Sequence, residues 1–371
     1  MIRRTTVVRW FALAVFLLLA WQLWSMRSLY TSSRVRKYTA YHDPTLDAVY
    51  RQSLESGHRP RAAFAILVRN SDLFEWKQSM RQLEDHFNKK YRYPYVFLND
   101  VPFTEEFKDH VQAMTEAECL FGEIPKEHWS YPAWIDQELA KEKRTKMQEA
   151  NIIYGGSESY RHMCRYESGF FFRHPLLDPF DYFWRVEPGV QFHCDISFDP
   201  FEFMARNNKS YSFTISMYEY RETIPTLWDA VKEFKQQHPN YIHPENFESW
   251  ISTDNGNTYN LCHFWSNFEI ASLNFFRSEA YMAFFDYLDR KGGFFYERWG
   301  DAPVHSIATA LFLSPEQVHF WDDIGYTHPP FTHCPTHKDI NIHCTCDPAK
   351  SFDNDGYSCT KKYLELSGWQ P

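Results

Sequence analysis

The stretch Ala62-Ala-Phe-Ala-Ile-Leu-Val-Arg-Asn70 decides the architecture. Seven consecutive apolar residues without alternation read as a strand buried on both faces, and the run stops abruptly at two polar residues. The spacing from Asp72 to Lys90 predicts a helix, and Tyr95-Val-Phe-Leu98 predicts a second strand that ends at Asn99-Asp100. Strand, helix and strand in that order build a parallel α/β sheet. Ligands in open α/β sheets bind beyond the carboxyl ends of the strands, so these two polar ends mark where a nucleotide would lie. No GxGxxG or GxxxxGK occurs in this unit, so neither a Rossmann dinucleotide site nor a P-loop is indicated.

A second stretch, Asp181-Tyr-Phe-Trp-Arg-Val-Glu-Pro-Gly-Val190, is an aromatic strand that closes on a carboxylate fixed by proline. The residue before proline is pushed to extended geometry, which sets Glu187 at the strand end. A lone carboxylate at the mouth of such a sheet points to a cation, and a cation there points to bound phosphate.

Working outward, Pro132 to Ala150 is helix-like, and the aromatic and cationic segment Arg161 to Pro175 reads as a helix entering the site. A strand is expected over 182–190 and another over Tyr211 to Tyr218, with a helix from Thr226 to Gln237. Apolar alternation then predicts a strand past Glu269, a helix from Ser278 to Leu288, a helix opened by Arg298 to His305, and a late strand Val318 to Trp321. No internal repeat is visible.

The 371 residues are 44% hydrophobic, enough for a substantial core, and 19% aromatic. A net charge of -9 argues against nucleic acid as a partner, because phosphate backbones select basic surfaces. Trp10 to Trp24 is an apolar run interrupted only by Gln22. With its flanks it reaches the length that crosses a thin bilayer, and no Ala-x-Ala site follows it, favouring an uncleaved anchor over a signal peptide. Residues 1–9 then form a cytoplasmic tail, 10–26 a membrane-spanning anchor, 27–60 a polar stem and 61–371 a catalytic domain. Eight cysteines behind an anchor fit an oxidising lumen, with as many as four disulfides. The His- and Cys-rich tail 333–346 also admits a zinc reading, although no clean CxxC pair occurs. Asn208-Lys-Ser210 is a glycosylation sequon.

Five ordered blocks carry a specific resemblance: Tyr160-Arg-His-Met-Cys-Arg, Trp184-Arg-Val-Glu-Pro, Asn267-Phe-Glu-Ile, Glu297-Arg-Trp-Gly-Asp-Ala-Pro-Val-His305 and Asp322-Asp-Ile-Gly-Tyr326. From about Arg61 to the C-terminus the chain resembles the fungal Golgi alpha-1,2-mannosyltransferase family. The resemblance implies an α/β fold, a single GT-A-type glycosyltransferase domain with a mixed central sheet flanked by helices. It implies retaining transfer of mannose from GDP-mannose, with Mn²⁺, to the 2-hydroxyl of a mannosylated glycoprotein acceptor. It also implies a single-pass type II protein of the Golgi membrane with its catalytic domain in the lumen.

Residue by residue, Glu187 and His328 match the family's metal ligands, and Gly189 supplies no second carboxylate. One carboxylate and one imidazole leave coordination positions for phosphates and waters. Glu269 resembles the candidate nucleophile, with two alternatives: it holds the acceptor or stabilises an oxocarbenium ion, or it is a buried carboxylate paired to Arg277. Tyr160 resembles a tyrosine near the sugar and diphosphate. Asp301 resembles a carboxylate near the sugar, its alternative being an ordinary N-cap. Strand-end logic alone sets Arg69 and Asp100 on the nucleotide side and lets Arg165 and Arg185 meet diphosphate or acceptor. The rival functions are a lectin-like subunit, a mannosylphosphate transferase, and a glycoside hydrolase with two facing carboxylates.

Overall fold

Alternate residues of the strand β1 (Ala62–Leu67) enter two different cores: Ala63 and Ala65 face one, Ala62, Phe64 and Ile66 the other. Burial on both faces is the physical reason the run lacks polar alternation. In the computed structural model the described residues are 59–367, preceded by 52, 53 and 55–57. The expected tail and anchor, and most of the stem, lie outside them. Among the described residues no helix is long and apolar enough to cross a membrane.

β1 is the centre of a five-stranded sheet with β2 (Tyr95–Asn99), β3 (Cys119–Glu123), β4 (Tyr182–Arg185) and β9 (Glu269–Ser272). The order is β3-β2-β1-β4-β9; the first four strands are parallel and β9 runs antiparallel to β4. The sheet is therefore mixed, as expected. Register pairs Ala65 with Arg185 and Arg185 with Glu269, so one row across the sheet carries both ionic side chains. Directly opposed residues of an antiparallel pair project to the same face, which brings Arg185 and Glu269 to one side.

Three small sheets complete the fold. β5 (Gln191–Phe192) and β12 (Phe331–His333) flank β11 (Tyr326–His328), β6 (Tyr211–Phe213) pairs parallel with β10 (Val318–Phe320), and β7 (Ser216–Tyr218) pairs antiparallel with β8 (Cys262–Phe264). Two expected strands are thereby corrected. Of the run 182–190 only β4 is strand, residues 186–190 turning the chain into β5, and 211–218 divides into β6 and β7, which belong to different sheets. The helix expected over 72–90 runs Leu73–Leu83 and then widens into a π turn, Glu84–Asn88. That turn buries Glu84, whose Oε1 accepts from Tyr95 Oη at 2.5 Å and Asn88 Nδ2 at 3.1 Å. The segment expected as one helix to Pro175 is a helix only over Glu158–Gly169, followed by two short 3-10 turns.

Three disulfides form, Cys194–Cys344, Cys262–Cys359 and Cys334–Cys346, and Cys119 and Cys164 are buried thiols. The zinc reading of the tail is overturned, since Cys334, Cys344 and Cys346 are all consumed in disulfides and have no thiolate to offer. Asn208 is exposed with φ +50° just past the helix Pro200–Arg206, a turn in which a glycan has room.

Candidate active site

Arg185, the last residue of β4, organises the site. Its buried guanidinium donates to Glu187 Oε1 from Nε at 3.0 Å and Nη2 at 2.5 Å, and to Asp301 Oδ2 from Nη1 at 2.6 Å. Glu167 Oε2 lies 3.7 Å from Nη1. Burial opposes the positive charge, yet Glu167, Asp301 and Glu187 around it hold the guanidinium well above its ordinary range. Arg185 is thus engaged by three carboxylates of its own chain and does not present a free cation to a diphosphate.

Glu187 sits in the turn that leaves β4. Gly189 there has φ +83°, a left-handed conformation, and a Cβ at that position would come within 2.6 Å of Glu75 Oε1. The turn therefore requires glycine, which is why no second carboxylate follows the proline. Burial alone would raise the Glu187 carboxyl, but the Arg185 guanidinium and the His328 ring pull it down to about 2. It is a permanent carboxylate.

His328 ends β11, and its Nε2 stands 3.6 Å from Glu187 Oε2. Its Nδ1 donates to the carbonyl of Pro329 at 3.1 Å and turns Nε2 toward the carboxylate; burial disfavours a charged ring, yet Glu187 raises it above its ordinary value, so a metal binds there in place of the Nε2 proton. The 3.6 Å gap is too wide for a hydrogen bond and suits two ligands of one divalent cation. Among the described residues no three His, Cys, Asp or Glu side chains assemble a metal site. A cation on this pair completes its shell from substrate or water, and a carboxylate-plus-imidazole donor set fits Mn²⁺.

Asp301 is the first residue of the helix Asp301–Phe312, whose N-cap is Gly300. It is not the cap: its Oδ2 accepts from Arg185 and from Ser266 Oγ at 2.7 Å. Burial raises it, but Arg185 more than compensates and holds it below the usual carboxylate range. Glu167, with a longer contact to Arg185, is pushed by burial up to about 7.

Tyr160 lies in the first turn of Glu158–Gly169, where Ser157 Oγ accepts from its backbone N–H at 3.2 Å. Its ring stacks on exposed Tyr154, centroids 4.5 Å apart, and its hydroxyl accepts from Arg298 Nη1 at 3.1 Å. Burial pushes the phenol well above its ordinary range, so it stays neutral and keeps a proton to donate. Arg298 reaches Glu219 Oε1 at 3.4 Å with its other nitrogen.

Glu269 is fully buried. Its Oε1 accepts from Tyr211 Oη at 2.6 Å and faces His305 Nδ1 at 2.7 Å, while Oε2 has no hydrogen-bond partner among the described residues. Pairing with Arg277 is overturned: that guanidinium donates to the carbonyls of Phe172, Leu177 and Phe180.

Of the remaining expected residues, Arg69 and Asp100 are exposed at the ends of β1 and β2. Asn70 ties those ends together, donating to Pro102 O and accepting from Thr104 N–H. Arg165, expected near diphosphate or acceptor, instead makes a bidentate buried pair with Asp289 at 2.7 and 2.8 Å. Sequence reasoning missed Glu167, His305, Arg298 and Glu219. A signal existed for two: Glu167 lies seven residues after Tyr160 and His305 four after Asp301, each on its partner's helix face.

A mixed sheet with polar ends on its parallel strands, a carboxylate–imidazole pair at its mouth and buried acids beneath define a glycosyltransferase that uses a metal-bound nucleotide sugar. The comparisons agree. Residues 26–368 match the model of the glycolipid 2-alpha-mannosyltransferase family. The chain is 57% identical over 312 residues to glycolipid 2-alpha-mannosyltransferase 1 of Candida albicans, covering 84% of this chain and 72% of that protein. It is 54% identical to alpha-1,2 mannosyltransferase KTR1 of Saccharomyces cerevisiae, covering 85% and 82%. Among solved structures, core-mannan synthase A of Aspergillus fumigatus in its Mn/GDP form superposes with a TM-score of 0.79 at 44% identity, over 84% of this chain and 86% of that one. The chain belongs to the glycolipid 2-alpha-mannosyltransferase family.

Proposed function

We propose that this protein transfers mannose from GDP-mannose, with retention at the anomeric carbon, to the 2-hydroxyl of a terminal mannose on protein-linked glycans. The observation that carries this reading is the Glu187–His328 pair at the carboxyl edge of the sheet, beside the strand ends that bear Arg69 and Asp100. The Aspergillus relative was solved with manganese and GDP, which supports the same donor chemistry here. When bound, Mn²⁺ supplies Lewis-acid neutralisation of the charge that develops on the departing diphosphate.

The chain's own residues do the rest. Arg69 and Asp100 bind on the nucleotide side, and Asn70 holds their loops in register. Tyr160, a neutral phenol oriented by Arg298, donates its proton to a phosphate or sugar oxygen. Asp301, ionised and fixed by Arg185 and Ser266, accepts from a sugar hydroxyl. Glu269 contributes negative charge beneath the reacting sugar. The disulfides support an oxidising lumen, in line with a Golgi type II protein anchored by residues 10–26. Protease protection of residues 61–371 in sealed microsomes tests that placement.

The activity test incubates the purified protein with GDP-mannose, Mn²⁺ and methyl-α-mannoside. An α-1,2-linked disaccharide that disappears with EDTA is the expected product. GDP-mannose binding without product, at any acceptor concentration, would refute a transferase.

A further inference from the structure

His305 is fully buried in the helix Asp301–Phe312, and each of its ring nitrogens faces an oxygen. Nδ1 lies 2.7 Å from Glu269 Oε1, and Nε2 lies 3.1 Å from the backbone carbonyl of Glu167. A carbonyl only accepts, so Nε2 carries a hydrogen. Nδ1 then either carries a second hydrogen and donates to an ionised Glu269, or accepts a proton held by the Glu269 carboxyl. The same Oε1 also accepts from Tyr211, and the 2.7 Å contact to Nδ1 has the length of a charge-assisted N–H···O bond. The geometry therefore favours imidazolium and carboxylate.

We propose that His305 is a positioning residue for the transfer reaction: with Tyr211 it pins Oε1 of the Glu269 carboxylate, leaving Oε2 without a protein hydrogen bond among the described residues and fixing the orientation in which the carboxylate's charge meets the donor sugar. This inference rests on the mannosyl-transfer reading above.

The groups around the pair agree with this charge state. Asp301 lies one turn earlier on the same helix, Tyr211 stands on β6, Arg185 opposes Glu269 on β4, and Glu167 and Tyr281 come from the two helices packed alongside. Burial disfavours a charged ring, yet Glu269 and Asp301 raise His305 above its ordinary value. Phe171, Phe276 and Tyr281 surround the ring, its centroid 6.4, 4.9 and 6.1 Å from theirs, so an aromatic substitute has a matching socket.

The test compares His305→Phe, which keeps the ring volume and loses both donors, with His305→Asn, which returns a donor near the Nδ1 position without the charge. GDP-mannose turnover, GDP affinity with Mn²⁺ and thermal stability are measured for each. The expected result for His305→Phe is a kcat loss of roughly 100-fold at unchanged GDP affinity, with partial recovery in His305→Asn.

In a Glu269→Gln background, His305→Phe should cost less than about threefold more, as expected for residues acting as a unit. A loss of GDP affinity that matches the loss of kcat, or full additivity with Glu269→Gln, overturns the proposal. If His305→Phe does not fold, His305→Asn with and without Glu269→Gln decides alone by the same two criteria. Absence of transfer by the wild-type protein would instead refute the proposed function, so the two failures are distinguishable.

Discussion

Replacing Arg185 with methionine removes the guanidinium that lies within 4 Å of three buried or half-buried carboxylates, Glu167, Glu187 and Asp301. Breaking a buried ion pair from one side costs about 3–5 kcal/mol, because the partner charge stays behind without compensation. The described domain spans 309 residues, 59 to 367. At about 2.1 cal/mol/K per residue, its unfolding entropy is roughly 0.65 kcal/mol/K, so a loss of ~4 kcal/mol lowers Tm by ~6 °C.

The pH dependence gives the sharper test. Glu187 is held at about 2 in the folded protein against an ordinary 4.5. A depressed carboxyl contributes stability that is present above its unfolded value and lost as pH falls through the folded one, here on the order of 3 kcal/mol between pH 4.5 and 2. Without Arg185 that contribution disappears, and the crowded carboxyls take up protons at higher pH than in the unfolded chain. The variant then binds more protons folded than unfolded, so its stability rises on acidification from pH 7.5 to 5. Thermal unfolding of both proteins at pH 7.5 and 5.0, in EDTA, should show a Tm deficit that is largest at pH 7.5 and shrinks at pH 5.0. A deficit equal at the two pH values, or below about 2 °C at pH 7.5, would refute the charge assignment.

Glu187→Gln keeps shape and loses charge; turnover with Mn²⁺ should fall by at least ~100-fold while metal-free GDP binding is unchanged, measured by product assay and calorimetry. Eight cysteines with three disulfides leave two thiols (8 − 6), so thiol titration should read none in the native protein and two in denaturant without reductant. Replacing Cys262 and Cys359 together by serine opens a link across 97 positions and should cost ~2–5 kcal/mol, read by chemical denaturation.

The sheet was legible in the sequence because β1 and β2 are buried on both faces and announce themselves as unbroken apolar runs. Glu187 was legible because proline fixes the residue before it. The division of 211–218 between two sheets was not, since Thr214 and Ile215 are buried like their neighbours and no glycine or proline marks the break. The real partners of Glu269 were also hidden. His305 is 36 positions away and meets it only because the helix Asp301–Phe312 packs against β8, the strand before β9, whereas Arg277 was the near cation in sequence. Arg165 misled for the same reason: a cation beside a motif has no direction until the fold shows that Asp289 claims it.

Charge balance connects these parts to the reaction. Arg185 and protonated His305 supply two positive charges, and Glu187, Asp301 and Glu269 supply three negative ones, with Glu167 near 7 adding part of a fourth. With His328 neutral as a metal ligand, the protein's own groups leave a negative surplus beneath the position proposed for the sugar. A divalent cation and the two diphosphate charges cancel one another, so that surplus persists in the loaded site. As the glycosidic bond to the diphosphate breaks, the anomeric carbon becomes positive, and a buried negative surplus stabilises that change more strongly than it would in water. Full burial of Glu269 suits this electrostatic role directly. Covalent attack asks more of the same side chain, since the sugar would have to reach an oxygen that is closed to solvent in the described structure.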